Sequence, residues 1–169
     1  MYARPFIDSL DFAANRREIS GEIAIAELLR LQDMLETSQG VLQYTVQGGV
    51  DKQGIPFLDV GVAGQCRLRC QRCLEGFDFP VRLDTRLQLR DQSGLDELDS
   101  DAAGAAEEEF DSILADQHLN VLDLLEEEIL LSLPIAPKHA LGTCQATDGK
   151  DLQGNVKNPF AVLAELKRN

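Results

Sequence analysis

The chain has 169 residues, the length of one domain, and 44% of them are hydrophobic, which excludes a wholly disordered chain. Acids outnumber bases 29 to 16 for a formal net charge of -13, which disfavours coating nucleic acid through the overall field and leaves that task to local basic patches. Arg16 to Ile25 carries apolar residues at Ile19, Ile23 and Ile25 and predicts a first strand. Leu28, Leu31 and Leu35 then recur at helical spacing and predict a short amphipathic helix without an evident N-cap.

The middle of the chain reads as antiparallel sheet. Leu42, Tyr44 and Val46 alternate with polar residues, Gly48-Gly49 and Lys52-Gln53-Gly54 supply turn chemistry, and Leu58, Val60 and Val62 run on into Cys66 and Leu68. From Phe77 to Leu89 the odd positions are apolar or Thr and the even positions polar, apart from Pro80. Such alternation predicts a long strand with one wet face, with an edge or bulge at Pro80, which has no ladder donor.

Residues 91–137 contain fourteen acids and no Lys or Arg. Their first part is Gly, Ser, Ala and acid and predicts a disordered acidic loop over about residues 92–109. Residues 120–133 predict a helix capped by Asn120, with Leu122, Leu125, Ile129 and Leu133 on one stripe and Leu124 and Leu131 nearly opposite. Pro134 and Pro137 end it. After a second loop-like stretch, Asn158 and Pro159 start a short helix with Phe160, Leu163 and Leu166 on one face. The expected architecture is α+β: residues 1–140 form one domain with an antiparallel β-sheet core and a few short helices. Residues 141–169 add a loop and a short helix packed on it or tethered to it.

Three of the four cysteines fall between Cys66 and Cys73, unlike a secreted disulfide framework, and point to a reducing cytoplasm. The start shows no secretory signal, and no stretch approaches the roughly 20 apolar residues of a membrane helix. Cys70-x-x-Cys73 can bite one tetrahedral metal, and His139 and Cys144 offer a second pair, together a candidate structural zinc site. The competing reading is a pair of reduced thiols at a hairpin tip; a redox motif is weaker, because this pair joins two strands instead of opening a helix. Cys66 shares the inward side of Leu68 and reads as core.

Six arginines, no lysines and three acids lie between Gly64 and Arg90. If the two strands form a hairpin, Arg67, Arg69, Arg82, Arg86 and Arg90 share its outer face, either as a phosphate-binding ribbon for RNA or as a solvated face paired with acids. The acidic helix reads as a solubility feature or as a surface for a basic partner. Gly-rich phosphate loops, nucleophile elbows and evident triads are missing, so no enzyme, no small-molecule substrate and no catalytic residue is expected.

Cys70-Gln-Arg-Cys-Leu-Glu-Gly-Phe77, the run from Leu122 to His139 through Leu-Pro-Ile-Ala-Pro, and Lys157-Asn-Pro-Phe-Ala-Val-Leu-Ala-Glu-Leu-Lys167 resemble, in order and spacing, the YceD family (DUF177). The resemblance implies a binding role in accumulation of large-subunit (23S) ribosomal RNA, with that rRNA or a pre-ribosomal particle as partner and no established catalysis. The rival expectation is an acidic adaptor that chaperones a basic ribosomal protein. Relatives in that family carry a second cysteine-rich knuckle after the Pro-x-x-Pro segment, where this chain has His139 and Cys144.

Overall fold

In the computed structural model, which describes residues 5–101, 111–140 and 143–144, the alternating segments become long strands. Phe6–Ile7 (β1) and a short helix, Ser9–Ala14 (α1), precede Glu18–Ala24 (β2). Two 3-10 turns, Ile25–Glu27 and Leu29–Met34, lead into Leu35–Thr37 (β3), Val41–Val50 (β4), Pro56–Arg69 (β5) and Gly76–Arg90 (β6). Gln92–Asp101 (α2), Asp111–Leu114 (β7), Leu119–Asn120 (β8) and Val121–Ser132 (α3) follow.

The main sheet runs β2-β4-β5-β6-β7, and β3 pairs with β5 beyond the reach of β4. The pairs from β2 to β6 are antiparallel and β7 joins β6 in parallel, so the sheet is mixed at that edge. β1 and β8 form a separate two-stranded ribbon. The fold is α+β, with a sheet core and several short helices.

Period two decides which side chains are inside. Leu42, Val46, Leu58, Val60, Val62, Cys66, Leu68, Val81, Leu87 and Leu89 point to one face, where Phe12 and Ala13 of α1, Leu28 and Leu31, and Leu125 and Ile129 of α3 cover them. Each fully buried leucine or valine there is worth about 2 kcal/mol of apolar transfer. On the opposite face Ser20, Gln43, Thr45, Ala63 and Arg82 are exposed. Pro80 sits opposite Gln65 on a stretch of β6 whose outer edge has no partner strand among the described residues, since β7 reaches only Leu87–Arg90.

Several expectations are corrected. The helix expected over Leu28–Leu35 is 3-10 turns, and Leu35 leaves it to pair with Leu68. A three-residue turn keeps Leu28 and Leu31 buried together, and the strand pairing captures the next leucine. Gly48-Gly49 is no turn but lies inside β4. A Cβ on Gly48 would come within 2.5 Å of the Phe12 carbonyl oxygen, so the absent side chain is what lets α1 lie against the strand. The turn falls at residues 51–55, where Lys52-Gln53-Gly54 was expected to supply one, with Gly54 at φ +87.

The acidic loop expected over about residues 92–109 is helical over Gln92–Asp101. Asp91 accepts from the Gly94 amide at 2.8 Å, capping that helix. Residues 102–109 of that loop, and all of the expected C-terminal loop and helix except residues 143–144, lie outside the described residues. The short helix α1 is capped by Asp8, which accepts from the Asp11 amide at 3.0 Å.

Helix α3 is capped as expected, Asn120 accepting from the Leu122 amide at 3.1 Å. Its acidic run is not a uniform wet face, because Glu126 and Glu128 are 6% and 8% exposed. Glu126 accepts from the backbone N–H of Arg30, satisfying an otherwise orphan donor at the start of the second 3-10 turn. The second leucine ridge divides: Leu124 is buried, whereas Leu131 is 73% exposed.

Candidate metal centre and basic sheet face

Strand β5 ends at Arg69 and hands the chain to a tight knuckle. The Cys70 N–H donates to the Glu75 carbonyl and the Leu74 N–H to the Cys70 carbonyl, both at 2.9 Å, while Leu74 takes a left-handed φ of 64°. The Arg72 amide points at the Cys70 sulfur, 3.4 Å away. The Gln71 N–H donates to the Pro137 carbonyl at 2.9 Å, which brings the segment after α3 against the knuckle. Phe77, the first inward residue beyond the knuckle, packs its ring 5.0 Å from the His139 imidazole.

The four side chains expected to act together do meet. One ligand atom from each of Cys70, Cys73, His139 and Cys144 lies within 4.8 Å of every other. The Cys70 and Cys144 sulfurs are 3.8 Å apart, and the Cys73 sulfur is 3.4 Å from His139 Nδ1. A disulfide needs sulfurs about 2 Å apart, and all four cysteines are free. A tetrahedral cation with metal–sulfur bonds of about 2.3 Å would hold its sulfurs roughly 3.8 Å apart, so the cluster can coordinate one metal ion.

The local electrostatics run the same way. Burial alone would oppose ionisation of Cys70, but backbone N–H groups of Cys73, His139 and Arg72, with the His139 ring, outweigh it and hold the thiol down at about 5. Burial and the neighbouring Cys144 and Cys70 sulfurs push Cys73 up. Cys66, expected in the core, is 3% exposed, and burial pushes its thiol up to about 11.

The five arginines lie on the outward positions of β5 and β6, as the alternation requires, but they are not equivalent. Arg67 stands opposite Asp78 and spends its fork on Glu36 Oε2 at 2.6 Å and Asp78 Oδ1 at 3.2 Å, bracing β3, β5 and β6 together. Arg86 stands opposite Asp59 and donates to both carboxylate oxygens at 2.6 and 2.8 Å. Its guanidinium also lies 3.9 Å over the Phe57 ring, and the Asp59 hydrogen bonds hold it more firmly charged than usual. Arg90 is half-buried and donates to Gln88 at 2.9 Å. Arg69 and Arg82, opposite Gly76 and Ala63, are exposed and have no ion-pair partner among the described residues. Asp59 and Glu36 were missed as partners; Asp59 is readable only once the β5–β6 register is known.

The assembly is a small α+β protein in which a four-ligand thiol–imidazole cluster ties a sheet hairpin to the segment beyond an acidic helix. Residues 58–167 match the family described as large ribosomal RNA subunit accumulation protein YceD, and the chain belongs to that family. A Haemophilus influenzae protein of the same description is 26% identical over 170 residues, covering 96% of this chain and 94% of that protein. No solved structure matches the chain.

Proposed function

We propose that this protein is a cytoplasmic ribosome-biogenesis factor that supports accumulation of large-subunit (23S) rRNA by binding, not by catalysis. It engages the rRNA or a pre-ribosomal particle through the outer face of the β5–β6 ribbon. Family membership supports the ribosomal role. The observation that carries the RNA contact is the exposure of Arg69 and Arg82 on that face, in a chain of net charge -13. Arg67, Arg86 and Arg90 lie beside them, with Arg67 and Arg86 fully charged but paired with carboxylates, so that they guide approach more than they grip phosphate.

In the same proposal Cys70, Cys73, His139 and Cys144 hold one zinc ion. Four protein ligands leave no open position for a substrate, so the ion is structural and fixes the knuckle end of the ribbon. Among the described residues no helix is long and apolar enough to cross a membrane.

A second reading, an adaptor for a basic ribosomal protein, draws on one observation: Leu131 and Ile135, at the end of the acidic helix, are 73% and 96% exposed. Titrating purified protein with fragments of 23S rRNA at several salt concentrations separates the two. The RNA reading expects affinity that falls as salt rises. No binding at low salt, together with a basic protein that co-purifies after RNase treatment, would overturn it in favour of the adaptor.

A further inference from the structure

At the end of the sheet remote from the knuckle, the β4–β5 turn, Phe57 of β5, Arg86 and Gln88 of β6, and Arg16 ahead of β2 line an open depression of about 680 Å³, a volume in the range of small-ligand sites. Arg16, Lys52, Phe57 and Arg86 line it. The one acid in its wall, Asp51, accepts from the Gln53 and Ile55 amides at 2.9 and 2.8 Å, and its charge also acts on Arg86. The three cations Arg16, Lys52 and Arg86 thus face two carboxylates, Asp51 and Asp59. Asp59 is committed to Arg86. Arg16 and Lys52 are both exposed and have no ion-pair partner among the described residues, so this corner is locally cationic.

Two further features are built in. The Arg86 guanidinium carbon lies 3.9 Å from the centroid of the Phe57 ring, and Asp59 holds the group through two hydrogen bonds. Gly49 leaves the room that the Phe57 ring occupies; a Cβ there would collide with it. A guanidinium plane fixed in this way is a surface on which nucleobases stack. Arg16, just beyond α1, has φ 49°, a left-handed conformation that costs any residue with a Cβ and suits Gly or Asn better. The arginine there places a cation at the rim of the depression.

We propose that this depression binds one nucleotide of a single-stranded RNA, its base against the Arg86–Phe57 stack and its phosphate between Arg16 and Lys52. The assignment rests on the RNA reading above and extends the outward ribbon face beyond Arg82 to a defined site. The test measures fluorescence anisotropy of a labelled single-stranded adenosine decamer with the wild type, Arg16→Asn and Lys52→Ala, beside thermal melts of each protein. Arg16→Asn should bind roughly tenfold more weakly with a shallower salt slope, because one phosphate contact is lost, while its melting temperature holds or rises as strain is relieved. Lys52→Ala should weaken binding in the same direction without loss of stability.

Wild-type binding with both variants unchanged would overturn the site and leave the RNA reading standing. A wild type that ignores the decamer and rRNA fragments alike would overturn both. Adenosine 5′-monophosphate competing as tightly as the decamer would overturn the RNA strand in favour of a free nucleotide.

Discussion

If the Cys70–Cys73–His139–Cys144 cluster holds the proposed zinc ion, removing it should cost the fold a definite amount. Cys73 and His139 are 66 residues apart in sequence, so the folded chain has already closed a long loop that the ion would otherwise have to close to bind both ligands in the unfolded chain. The chain-entropy relation used for disulfides gives about 4 kcal/mol at 25 °C for a loop of this length. Residual metal binding by unfolded thiols would reduce that figure. For a domain of this size each kcal/mol moves the midpoint by about 2–4 °C, so chelation should lower the melting temperature by roughly 8–16 °C. The assay is calorimetry of reduced protein before and after dialysis against a chelator, with elemental analysis of both samples and restoration by one equivalent of zinc. Cys70→Ser should melt with the chelated wild type and respond no further to chelator. A shift under about 2 °C in protein shown to have lost its zinc would refute the cross-link reasoning, and gently purified protein without zinc would refute the zinc itself.

Gly48→Ala should destabilise by about 1–3 kcal/mol in urea, because its Cβ meets the backbone of Phe12 and Ala13 and α1 must lift from β4; an unchanged midpoint would mean that α1 is free to shift. Glu128 is buried, and burial, with Asp111 and Glu127 nearby, pushes its carboxyl above the usual value of 4.5. Its charge therefore costs stability once pH rises above 4.5, and below that both states are protonated and the cost vanishes. Glu128→Gln should raise the melting temperature at pH 7 and leave it nearly unchanged below pH 4.5, in parallel melts of variant and parent. Changing Arg69 and Arg82 together to Glu should weaken RNA binding on the order of a hundredfold at low salt while altering stability by less than about 1 kcal/mol. Arg67→Glu should instead lower the melting temperature, since it sets an acid against Glu36 and Asp78.

Much of this architecture is written in local pattern. Period-two alternation located β4, β5 and β6 and assigned the outward arginines, because a strand offers only two faces. The two candidate metal-ligand pairs were legible from spacing alone, although what brings them together, the Gln71 to Pro137 hydrogen bond and the Phe77–His139 contact, is tertiary. Long-range partners were illegible for the same reason. The turn starting at Leu29 shows no side-chain cap of its own, and Glu126 supplies the acceptor from 96 residues further along. The acid that pairs with Arg86 was illegible because Asp59 lies 27 residues away and faces it only in the β5–β6 register. Gly48-Gly49 looked like a turn because glycine's tolerance of close approach and its tolerance of turns leave the same letter in the sequence.

The measurement that bears most directly on the central claim is the ratio of mature large-subunit to small-subunit rRNA in cells lacking this protein, complemented with the parent or with the Arg69→Glu, Arg82→Glu variant. The account predicts a lowered ratio without the protein, restored by the parent and not by the variant when both are present at equal amounts. A ratio unchanged by removal of the protein, under slow and fast growth alike, would contradict the ribosomal role. Full restoration by the variant would contradict the RNA-binding face.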